Sequence, residues 1–168
     1  MGDKRDGFSM SLIKGAAHRC RWGFPQVVLC GALQRMKPFP TSFWLVCPFL
    51  IRSIATLESG GGVAGLKEES RNMDAEWRKY HLSHALLRLS MIKPAQRAFL
   101  RNRRKALYRA ICARGVGGAR YSEDPVAVKC LHLQMASFIA LRRHPMSEWL
   151  CGKVVERECN GAFCRAVN

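Results

Sequence analysis

Acidic residues are few in this chain and unevenly spread. Its 168 residues include 12 Asp and Glu against 28 Lys and Arg, a formal charge of +16. No acid falls between Gly7 and Leu57, and none between Trp77 and Ser122. Cations without carboxylates nearby in sequence are not neutralised locally, so the field favours polyanions: nucleic acid, anionic lipid or another. Long apolar runs are missing too. The longest, from Phe43 to Ile51, is stopped by Arg52. It falls well short of the ~20 residues that span a bilayer, so no transmembrane segment is expected. The opening Met1-Gly2-Asp3-Lys4-Arg5-Asp6 is charged and has no apolar h-region, which predicts no export signal and a cytoplasmic location. Internal repeats and low-complexity tracts are absent. So is any C-x-x-C, despite eight cysteines at 20, 30, 47, 112, 130, 151, 159 and 164. That excludes the commonest redox and zinc-ribbon spacings. In a reducing compartment such thiols divide between small buried hydrophobes and metal or redox sites.

What is present suits a globular domain. Hydrophobic residues make up 48% and charged residues 24%, enough apolar surface for a core at this length. "PQVVLCGAL" (25–33) and "TSFWLVC" (41–47) are β-branched and aromatic runs around the Pro-bearing "QRMKPFP". Both read as strands. "MSLIKGAAHRC" supplies a third, with Trp22-Gly23-Phe24-Pro25 as the bend after it. From Pro48 the period lengthens. "PFLIRSIATLE" puts Leu50, Ile54 and Leu57 on one face, with Pro48 in the first turn. "SGGGVAG" breaks that helix. "NMDAEWRKYHLSHALLRLSMI" carries Trp77, Tyr80, His84, Leu87 and Met91 at helical spacing. Pro94 opens a helix through "PAQRAFLRNRRKALYRAICAR", ended by Gly115, Gly117 and Gly118; Asp124-Pro125 reads as N-cap and N1 of the next. The expected class is α+β, a small N-terminal antiparallel sheet packed against about four helices. The expected organisation is an N-terminal extension (1–18), one domain (19–150) and a Cys-containing tail (151–168).

Two groups of residues suggest chemistry. In the helix after Pro94, Phe99, Leu100, Ala106, Leu107 and Ile111 form an apolar stripe. Arg97, Arg101, Arg104 and Tyr108 form a separate row facing away, with Lys105 and Arg109 beside it. The helix holds no glutamate for i, i+4 pairing. Arginine forks bind phosphates bidentately, and each neutralised phosphate releases counterions. These five cations, Arg97, Arg101, Arg104, Lys105 and Arg109, are therefore the candidate polyanion contacts, with nucleic acid or polyphosphate as partner. A solvated helix face is the plainer reading.

The second group is "KCLH" at 129–132. Lys129, His132 and a nearby helix N-terminus would favour a Cys130 thiolate, and His81 could add a base, so Cys130, His132, Lys129 and His81 are the catalytic candidates. In a regular helix starting at Pro125, Cys130 and His132 stand about 200° apart and cannot chelate together. His132 then falls on the apolar stripe with Val128, Met135 and Ile139, where a hydrogen-bonded core histidine is the plain reading. Only a later helix start would let both join Cys20 and Cys47 in a zinc site.

Five motifs, "RCRWGFPQVV" (19–28), "PFPTSFWLVCP" (38–48), "EWRKYH" (76–81), "GVGGARYSEDPVAVKCLHLQMA" (115–136) and "HPMSEWL" (144–150), occur in that order. Together they resemble the bacterial family known as domain of unknown function five hundred and one. The resemblance implies no activity. Members are often encoded beside a septum-formation initiator and an exopolyphosphatase, which implies an interaction partner in envelope or division processes. Family-type residues here are Cys20, Pro40, Thr41, Cys47, Pro48, His81, Lys129, Cys130, His132 and Pro145. The chain departs from the family where Gln134 and Ser137 stand in place of histidines, and where His144-Pro145 replaces Asn-Pro.

Overall fold

A computed structural model describes residues 10–34, 36–161 and 164. Residues 1–9 of the expected N-terminal extension, and 162, 163 and 165–168 of the expected tail, lie outside the described residues. The β-branched and aromatic runs form strands as expected: β1 (Ile13–Arg19), β2 (Pro25–Cys30) and, after a small hairpin of β3 (Leu33–Gln34) and β4 (Lys37–Pro38), β5 (Phe43–Leu45). The sheet order is β1-β2-β5, antiparallel throughout. Val27 faces Leu45, Val28 faces Trp44 and Leu29 faces Phe43. As the middle strand, β2 buries both Val27 and Val28, so its apolar residues run on instead of alternating.

The helices are α1 (Pro48–Ser59), α2 (Gly62–Glu69), α3 (Asp74–Ser90), α4 (Pro94–Arg103), α5 (Lys105–Ala113), α6 (Leu131–Leu141) and α7 (Ser147–Lys153). The α+β class holds, but with seven helices among the described residues against the four expected. Three local events account for the difference. The triple glycine does stop α1, with Gly61 in the left-handed region at φ 83, yet the helical path resumes at once because Leu66 docks fully buried. The "HPMSEWL" segment forms α7, which seats Leu150 in the core.

The third event alters the arginine row. Arg104 leaves the helical region (φ −133, ψ 54), so the single helix expected from Pro94 to Arg114 is two. The break falls within a run of cations that has no carboxylate to screen it. It also overturns the stripe drawn on a straight helix. Leu100 and Ile111 are buried as expected, but Ala106 and Phe99 are exposed, Phe99 by 48%.

Two cores result. The larger joins the sheet, α1, α3, α6 and α7 around Val27, Leu45, Leu50, Trp77 and Met135. The smaller holds Ala32, Ile92, Leu100 and Ile111 beneath α4 and α5. Helix α6 is buried almost all round, including Gln134 and Ser137, as befits a central helix.

Candidate functional site

Helix α6 does not start where Asp124-Pro125 suggested. The segment after Pro125 stays non-helical, and Cys130 is the cap residue in an extended conformation (φ −157, ψ 157). The reason is tertiary. Glu58, near the end of α1, lays its carboxylate over the first amides of α6, accepting from the N–H of Leu131 and, at 3.4 Å, from that of His132. A carboxylate at a helix N-terminus meets both the unpaired amides and the dipole.

The later start brings together what a longer helix would have held apart. Ligand atoms of Glu58, Cys130 and His132 lie within 4.8 Å of one another, all three half-buried. His132 is therefore no core histidine. Its Nε2 faces the Ile51 carbonyl at 3.2 Å, and its Nδ1 faces the Glu58 carboxylate at 3.2 Å. A carbonyl only accepts, so Nε2 carries a proton; Nδ1 and the carboxylate then need a cation or a second ring proton between them. Burial pushes the Cys130 thiol up, aided by the Glu58 charge and opposed by the amides of Leu133 and His132 and by Lys129. The net direction keeps the thiol protonated and does not favour a free nucleophilic thiolate. The Lys129 stem lies beside Gly117.

Cys20 and Cys47 do not join this trio. Cys47 is buried at the start of α1, and Cys20 is half-buried at the end of β1. The tail reaches them instead. Glu158 binds the Arg21 amide and guanidinium at 2.9 and 2.7 Å, Trp22 donates to the Cys159 carbonyl at 3.0 Å, and Gln26 donates to that of Arg157 at 2.6 Å. The Cys164 and Cys47 thiols are free and hydrogen-bonded to each other, with Cys159 and Cys20 nearby; burial and these neighbours push the Cys164 thiol up.

His81 lies elsewhere, in a buried aromatic cluster of Trp77, Tyr80, His84 and His144. The Val116 amide donates to its Nδ1 at 3.1 Å. Gly115 is required beside it, because a Cβ there would overlap the ring. His144 accepts from the Met146 amide at Nδ1, and its Nε2 donates to the Gln134 carbonyl oxygen, each at 2.9 Å. The Tyr80 hydroxyl donates to that same oxygen at 3.1 Å. Desolvation pulls His81 down to about 4 and His84 and His144 to about 3, with the Arg88 charge adding to the first two. All three are neutral at pH 7, fixed by packing in a way that suits structure better than proton transfer.

The cationic segment keeps its character. Arg101, Arg104, Lys105 and Arg109 are exposed and Arg97 is half-buried. Among the described residues none of the five is in an ion pair; the pairs found are Arg21–Glu158, Arg71–Glu68, Arg120–Glu123 and His132–Glu58. The kink at Arg104 splits the row: Arg97 and Arg101 leave from α4, Lys105 and Arg109 from α5, with exposed Phe99 among them.

Sequence reasoning missed Glu58 and Arg88. Glu58 had a signal, being the first carboxylate after the acid-free stretch from Gly7. Arg88 had one too, since it continues the spacing of Trp77, Tyr80, His81 and His84 along the buried face of α3.

The chain belongs to the family described as protein of unknown function (DUF501), whose model matches residues 16–152. No curated protein and no solved structure matches it.

Proposed function

We propose that this family member binds a polyanion, nucleic acid first, along the kinked surface of α4 and α5. The observation that carries the reading is the lack of any carboxylate partner, among the described residues, for Arg97, Arg101, Arg104, Lys105 and Arg109. Neighbouring like charges repel, and a phosphate backbone relieves that repulsion while shedding its own counterions. Phe99, exposed among them, offers a face on which a base can stack. Because Arg104 interrupts the helix, the contacts fan out from two helix axes instead of tracking one straight row.

Five phosphate contacts on a single strand give a salt slope of about −3.5. Affinity for a single-stranded oligonucleotide should then fall about a hundredfold between 50 and 200 mM salt. Arg101→Ala with Arg104→Ala should flatten the slope by about 1.4. Salt-independent binding, or an affinity untouched by the double substitution, defeats the reading.

A second reading rests on Glu58, Cys130 and His132. Oxygen, sulfur and nitrogen donors are all ligand types that zinc takes, and three of them leave a fourth position open. The Nε2 hydrogen bond to Ile51 is the outer partner a ligating imidazole needs, since it leaves Nδ1 free to face the metal. A bound metal would also deprotonate a thiol that burial and the Glu58 charge keep neutral. Protein purified without added metal should then contain about one zinc per chain, lost in Cys130→Ser. Metal-free protein with a freely reactive Cys130 thiol would leave the trio as a helix cap and nothing more.

A further inference from the structure

Arg88 is a deeply buried charge, 2% exposed. Its guanidinium donates to the carbonyls of Pro40 (3.2 Å), Gly115 (3.3 Å), Ile111 (3.4 Å) and Arg114. Four carbonyls take the N–H groups of its two terminal nitrogens but carry no formal charge, and no carboxylate among the described residues pairs with it. A buried cation held only by dipoles keeps its whole charge in a medium that screens it poorly. Burial pulls its pKa down to about 10, so it stays protonated at neutral pH.

This charge stands at the wall of a cavity of about 290 Å³. Arg114 and Lys129 line the same cavity, and no acidic residue does. Arg114 makes one long contact, 3.5 Å, to the Gly118 carbonyl, and Lys129 packs over the Gly117–Gly118 turn with its ammonium close to Gly118. The Pro38-Phe39-Pro40 segment, apolar and short of donors, completes the lining, with the Pro40 carbonyl held by Arg88. Three like charges thus converge on one hollow from three places in the chain: α3, the end of α5 and the approach to α6. The volume sits near the lower bound of small-ligand sites, about 300 Å³, and well above that of one water.

We propose that this cavity binds a phosphate-type oxyanion, with Arg114 and Lys129 on its oxygens and Arg88 supplying a fixed positive field from behind. The site is separate from the α4–α5 surface, although α5 contributes Ala110 and Ile111 to its wall. The anion is either free or the terminal phosphate of a nucleotide chain; the chemistry that recognises it is the same.

Pyrophosphate titrated calorimetrically into the full chain should bind saturably at one site. Arg114→Gln or Lys129→Gln should each weaken it about tenfold or more, the effect of losing a charged hydrogen bond. Arg101→Ala with Arg104→Ala should leave it unchanged, and this control separates the cavity from the surface: oligonucleotide binding can fail while pyrophosphate still binds, and the reverse. Comparing 5′-phosphorylated with 5′-hydroxyl oligonucleotides identifies the source. A preference for the phosphorylated end that Lys129→Gln abolishes supports a chain terminus; equal binding of the two, with pyrophosphate still seated, supports a free anion. Absence of saturable pyrophosphate binding, or binding indifferent to Arg114 and Lys129, overturns the proposal.

Discussion

His81, His84 and His144 show what burial does to single side chains. Each imidazole ordinarily titrates near 6.5, and in the fold they stand at about 4, 3 and 3. The groups facing them, the Arg88 cation and each other, disfavour a proton, and only at His81 do a Pro125 backbone hydrogen bond and the Asp124 charge oppose this. Below about pH 6.5 the unfolded chain therefore takes up protons that the folded chain refuses. The stability tied to these rings is complete above that pH and is lost as pH falls from about 6.5 toward 3. At pH 5 the loss is about 2 kcal/mol for each ring. Urea midpoints measured from pH 7.5 to 4.5 should decline steeply below 6.5, and a flat profile would mean that these rings are solvated. Gly115 belongs to the same scale, since the histidine's position depends on the missing Cβ.

At the scale of elements, the start of α6 is the decisive event. A local cap at Asp124-Pro125 competes with a remote one supplied by Glu58, and the remote one prevails. Glu58→Ala removes the acceptor from two amides of a central helix and the charge from its positive end. Such a loss costs about 1–2 kcal/mol. Glu58→Gln, which keeps an oxygen in place, should lose less. Chemical denaturation with an unchanged m-value reads the difference; equal midpoints for wild type and Glu58→Ala would show that the cap contributes nothing. The split between α4 and α5 is the other event at this scale. It moves Phe99 from the expected core face to solvent and spreads the cations over two axes.

For the molecule as a whole, the governing fact is the distribution of charge. The surplus of +16 is not spread thinly. It concentrates where the chain has no acids, on α4, α5 and the Arg88–Arg114–Lys129 hollow. Among the described residues few ion pairs relieve it, and exposed ones such as Arg71–Glu68 and Arg120–Glu123 contribute little to stability. The same field that strains the compact state draws anionic partners.

Composition and periodicity alone determined the α+β class, the three main strands, the Pro48 and Pro94 helix starts, the burial of Trp77, Tyr80 and His84 on α3 and the basic segment. These follow from local rules: side-chain period, proline geometry and the absence of acids nearby in sequence. The presence of Cys130 and His132 was legible; their meeting was not. It required a helix start fixed by Glu58, a residue more than seventy positions earlier whose carboxylate reaches α6 only after α1 and α6 have packed. The convergence of Arg88, Arg114 and Lys129 on one cavity likewise depends on three segments that only the closed chain brings together. Local propensity acts over a few residues, whereas a site is built from through-space contacts, and those exist only once the core has formed.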